Sequence, residues 1–192
     1  MSLKIYTEPI EEPILLDEIT KRHLRVDHSE DDTLIGSYIT AARKHCENFL
    51  GRALITQTWD LFMDSFPSES FIKVPLPPLQ SVTTLKYKDT AGTLQTWAAT
   101  NYVVDTHSEP GRISLAYGIS WPSTYAEIDA VQIQFVCGYG LSANVPLHIK
   151  QAILLKLTGL YENRGDTERS FVTDTLEQAI ESLLWADRIV PV

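Results

Sequence analysis

The chain has 192 residues, 44% of them hydrophobic and 21% charged. That suits a globular protein of one ordinary or two small domains with a real core. Sixteen basic against twenty-five acidic residues give a formal charge of −9, which excludes a broad Lys/Arg footprint for DNA phosphates. No apolar run reaches the length of a membrane span, no secretion signal is visible at the N-terminus, and two cysteines make neither a disulfide framework nor a metal spacing.

In chain order, a short helix is expected around Asp17 to Leu24, with Leu16, Ile19 and Leu24 inward. A polar turn, "RVDHSEDD", leads to a long amphipathic helix from Ser29 to Leu50. Its stripe is Leu34, Ile35, Tyr38, Ile39, Ala42, Cys46 and Phe49, at the three-and-four spacing of one buried face. Ser29 suits the N-cap, and Gly51 suits the left-handed residue that ends a helix. Burying such a stripe contributes roughly 1.5–3 kcal/mol per large side chain before entropy.

After Gly51 the period changes. "LITQTWDLFMDSF" is rich in β-branched and aromatic residues, as strands are. Pro75, Pro77 and Pro78 interrupt the chain before a second strand near Val82 to Lys88, and "KDTAGTLQTW" reads as a hairpin turning at Gly92. Strands at Tyr102–Asp105 and Arg112–Ala116 flank the turn "THSEPG". In "AVQIQFVCGYG", Val131, Ile133, Phe135 and Cys137 share one face.

Helical spacing returns at Pro146 and runs to Gly165, with apolar residues on more than one stripe, so this helix is central or touches something on two sides. A polar loop over 166–174 precedes a last helix near Thr175 to Ala186, whose apolar face is Leu176, Ala179, Ile180, Leu183 and Leu184. The expected fold is α+β: a small bundle of about four helices from the two ends of the chain, with an inserted antiparallel β segment. The corresponding parts are 1–55 (helical), 56–140 (β-rich) and 141–192 (helices packing with the first part).

Chemistry is sparse. His45, Cys46 and Glu47 are adjacent, but neighbours on a helix point about 100° apart. Cys46 lies on the apolar stripe, where a thiol acts as a small hydrophobe. His23, His28, His45, His107 and His148 show no metal-ligand spacing. "DTHSE" sits in an expected turn, where such residues collect for backbone reasons. "CGYG" is a lone G-x-G without a helix behind it. No catalytic residue, cofactor site or metal site is expected. The tryptophans at 59, 97 and 121 fall in the β region as core, whereas Trp185 suits an interface anchor.

The ordered series "HLRVD", "DDTLI", "AAR", "E-x-x-x-GR" and "LITQTW" resembles the head–tail connector (adaptor, or DNA-packaging) proteins of tailed bacteriophages and prophages. "PLPPLQSVTTLKY", "EPGRISL", "SWP", "FVCGYG" and "VPLHIKQAILLKLTGLYENR" resemble the longer members, which carry a β insertion. The likeness spans about residues 15 to 165. It implies a structural, non-enzymatic protein at the virion head–tail joint, made in the bacterial host cytoplasm. Such proteins form a ring, typically dodecameric, under the portal protein. The ring extends the DNA channel without sequence-specific binding and meets a stopper or tail-completion protein; no membrane is involved. Part of the subunit or partner interface is expected on the last two helices, at Leu155, Tyr161, Leu184 and Trp185. The alternatives are an enzyme using Cys46 or the His107 loop, a monomeric protein- or ligand-binding module and, within the phage context that the resemblance implies, another head-completion or stopper protein.

Overall fold

A computed structural model describes residues 1–163 and 170–189. The chain divides into two compact units: Met1–Ile10 with Thr56–Gly138, and Glu11–Ile55 with Tyr139–Val192. The first is built on β-strands, with one 3-10 turn at Ala99–Asn101; the second is helical.

The β unit holds a five-stranded antiparallel sheet in the order β1 (Ser2–Thr7), β2 (Gln57–Met63), β8 (Val131–Cys137), β4 (Leu79–Lys88) and β5 (Leu94–Thr96). A three-stranded sheet runs β3 (Phe71–Lys73), β7 (Arg112–Leu115), β6 (Tyr102–Asp105). In β8 the alternation predicts the faces correctly: Val131, Ile133, Phe135 and Cys137 are all wholly buried. At the β4–β5 turn the Asp89 carboxylate accepts from the backbone N–H of Ala91 and Thr93 and from Gln95, with Gly92 at φ 81°. The Gln95 bond first, then the backbone donors, holds Asp89 below the usual carboxylate range.

Two strands escape the sequence reading. The first ten residues, expected with the helical part, run with the β unit, and β1 pairs with β2 in the register Leu3↔Leu61 and Ile5↔Trp59. The second is the three-residue β3.

The helical unit contains α1 (Glu18–Leu24), α2 (Asp32–Leu50), α3 (Leu147–Glu162) and α4 (Ser170–Leu184). Asp17 caps α1 by accepting from Thr20 N at 2.9 Å. Leu16, expected inward, is 37% exposed because it precedes that cap. The long helix starts at Asp32 with Asp31 in the cap position, two residues after the expected cap Ser29. Ile35, Ile39, Ala42, Cys46 and Leu50 form its buried stripe, while Leu34 is 36% exposed at the edge. Gly51 ends it at φ 65°, as expected.

The two stripes of α3 have a simple cause: it packs against α2 on one side and α4 on the other, with α1 touching it too. Ile149, Ala152, Ile153 and Leu157 are wholly buried there. Pro146 caps α3 from outside rather than starting it. Of the expected 166–174 loop, residues 166–169 lie outside the described part, and Ser170 to Asp174 are the first turns of α4. Gly165 also lies outside it. On α4, Ile180 and Leu184 are buried, Leu176 and Leu183 pack against the core, and Ala179 is exposed.

Candidate interaction surface

The reactive-looking triplet on α2 points three ways. His45 faces Glu177 of α4 at 3.5 Å. Cys46 is wholly buried, and burial pushes its thiol up to about 12, so it carries no thiolate near neutral pH. Glu47 has structural work. One of its oxygens accepts from Arg43 at 2.7 Å, and the other accepts from the Leu54 N–H at 2.9 Å. Arg43, 3% exposed, also donates to Glu12 at 2.7 Å.

Desolvation alone would lower the Arg43 pKa, but Glu12 and Glu47 leave it raised, so the guanidinium stays charged in the core. Beside this cluster Arg52 Nε donates to the Asp187 carbonyl at 2.5 Å. "E-x-x-x-GR" is therefore the fastening at the end of α2.

The "DTHSE" turn is equally structural. Asp105 accepts from the backbone N–H of His107 and Ser108, from Ser108 Oγ at 2.6 Å and from Arg112 at 2.8 Å. The Ser108 hydroxyl first, then Arg112 and the backbone donors, hold its carboxyl well below the usual carboxylate range. Gly138 and Gly140 of "CGYG" take φ of 115° and 112°, a backbone turn at the end of β8. Among the described residues no group of His, Cys, Asp and Glu is placed to hold a metal, and no helix is long and apolar enough to cross a membrane.

The four residues expected at an interface part company. Leu184 is wholly buried in the core of its own helical unit, so it is not available to a neighbour; its stripe position faces inward. Leu155 is half-buried against the same core. Tyr161 packs beside Leu24, Ile35 and Leu157, and its hydroxyl donates to Asp31 at 2.6 Å. Only Trp185 stands out, 63% exposed.

That exposure is displayed from a fixed base. After α4 the chain makes a 3-10 turn, Trp185–Asp187, and Ile189 N donates to the Leu50 carbonyl at 2.8 Å. His148 of α3 faces Asp187 at 2.5 Å. The Arg188 guanidinium lies 4.6 Å from the Phe49 ring centroid and 5.5 Å from that of Trp185. A Trp and an Arg so ordered are the residue types that dominate binding energy at interfaces. Sequence reasoning found the tryptophan but missed Phe49 and Arg188, which reach it only through the fold.

In this α+β fold Cys46, Glu47 and Asp105 are each held in structural roles, and the exposed Trp185 sits on an anchored turn. Residues 14–91 match the family described as Phage gp6-like head-tail connector protein. No curated protein sequence matches the chain.

Among solved structures, the fold matches a chain from the "Neck of empty GTA particle computed with C6 symmetry" at TM-score 0.82 and 25% identity. It matches one from the "Virion of native gene transfer agent (GTA) particle" at 0.81 and 24%. A third, from the "Neck of native GTA particle computed with C12 symmetry", matches at 0.77 and 24%. Each match covers 100% of this chain and 97% of the other. The resemblance to head–tail connectors read from the sequence is borne out, and with it the α+β fold.

Proposed function

We propose that this protein is a structural connector of a phage-type neck, which assembles as a closed ring of identical copies between head and tail. The observation that carries this is the end-to-end likeness to neck chains, together with the connector-family match over 14–91. Necks of that kind computed with C6 and C12 symmetry favour a ring, with twelve copies the natural number. The portal protein lies on one side of the ring and a stopper or tail-completion protein on the other, and DNA passes through the middle. A chain of net charge −9 suits such a conduit, because a like-charged neighbour does not hold the polyanion. Assembly takes place in the host cytoplasm and the product sits at the virion head–tail joint.

A cyclic ring requires two different patches per subunit, one for each neighbour. Trp185, braced by Arg188 and Phe49 at the C-terminal end of α2, is the best candidate for one of them; Leu155 and Tyr161, the latter bonded to Asp31 at the other end of α2, are further candidates on the same helical unit. Trp185→Ala is the test. The expected result is smaller species by light scattering at concentrations where the parent protein forms rings, with the monomer's thermal unfolding unchanged. Rings of normal mass and stability would remove Trp185 from the subunit contact.

A further inference from the structure

Fifteen residues separate β7, ending at Leu115, from β8, starting at Val131, and they form neither helix nor strand. Loops of that length without their own secondary structure serve a function or remain disordered. This one is tied down. Its first residue, Ala116, donates to the Asn101 carbonyl at 3.0 Å, Tyr125 N donates to the Lys88 carbonyl at 3.0 Å, and Asp129 N donates to Asp64 at 3.1 Å. In the middle the Trp121 ring stacks on Phe66 at 4.8 Å between centroids and 8° between planes, while its Nε1 donates to the Glu69 carbonyl at 2.7 Å. Trp97 and Tyr102 extend the aromatic base.

This fastened loop holds four large apolar side chains out to solvent, among exposed polar residues. Tyr117 is fully exposed, Ile128 is 78% exposed, Tyr125 46% and Ile119 38%. Nothing in the loop's own packing requires those side chains to be apolar. An ordered loop also loses little conformational entropy on binding, so its exposed rings and branched chains convert efficiently into affinity. Carboxylates lie near them, Glu127 and Asp129 in the loop and Asp64 and Glu69 beneath it, with Lys88 paired to Glu127 at 2.7 Å. Those carboxylates disfavour nucleic acid there, and any partner surface that is itself acidic.

The geometry points to loop 116–130 as a docking element for a different protein, one that presents an apolar pocket flanked by Lys or Arg. Resting on the connector reading, the partner is the protein on one side of the ring, and the loop carries specificity between rings rather than contact within one.

The test uses the full chain with Tyr117→Ser and Ile128→Ser together, both exposed enough to leave folding intact, checked by thermal unfolding. The probes are the purified portal and the purified tail-completion protein of the same particle. The variant is expected to keep the parent's native mass. Its affinity for one of the two probes is expected to fall by about tenfold or more, and the parent's binding to that probe should weaken as salt rises. A fall in native mass would make the loop a contact between copies and overturn the inference. Affinities for both probes within twofold of the parent's would overturn it as well. If the parent itself binds neither probe, the connector reading fails first, and this inference falls with it.

Discussion

At the scale of single residues, the triplet at 45–47 shows how far one sequence reaches. The burial of Cys46 was legible, because its spacing from Ile39, Ala42 and Leu50 sets it on the stripe of α2. The part played by Glu47 was not. Its pairing with Arg43 is a local i,i+4 contact, but the Leu54 N–H reaches it only after Gly51 has turned the chain back. A buried thiol raised to about 12 stays protonated across pH 7 to 9, since deprotonation begins only as pH approaches that value. Both cysteines, Cys46 and Cys137, are buried. With a chromogenic disulfide reagent at pH 8 the native protein should give almost no label, and the unfolded protein should give two thiols per chain. Rapid labelling of the native protein would revive the nucleophile reading.

Between elements, what the sequence showed followed from period and length. The long helix, Asp32–Leu50, and the strand Val131–Cys137 repeat long enough to reveal their faces. β1 and β3 do not: β1 is an edge strand exposed on both sides, and β3 has three residues, so neither carries a buried pattern. Leu184 was misplaced for the opposite reason. Its stripe was read correctly as apolar, but whether that stripe faces the protein's own core or a neighbour is decided by α2 and α3, not by α4.

Gly111 is another residue whose reason lies in the fold. A Cβ there would sit 2.6 Å from Leu79 Cβ and 3.2 Å from the Asp105 carbonyl oxygen, so β7 begins against β4 with no room to spare. Overpacking of that kind costs about 1–3 kcal/mol. Gly111→Ala should therefore lower stability by about that much in urea unfolding, with the slope unchanged. A neutral result would mean that β4 and β7 can separate at little cost.

Over the whole molecule, the order helix, helix, strands, helix, helix was enough to foresee an α+β protein with helices from both ends joined around a β insertion. The first ten residues were assigned to the wrong unit because their partner strand, β2, lies more than fifty residues away, and no local pattern records a pairing at that distance. The candidate surface was legible only in part, since exposure belongs to the fold. Trp185 stood out by type, while the exposed side of loop 116–130 was invisible to periodicity.

The connector reading rests finally on self-association. The most direct measurement is native mass by light scattering on a size-exclusion column, across a concentration series, with and without the portal protein. A ring connector predicts one discrete species near twelve times the 21.6 kDa subunit mass when the ring forms alone, or that mass added to the portal's when it forms on the portal. A monomer at every concentration, unchanged when the portal is added, would contradict it.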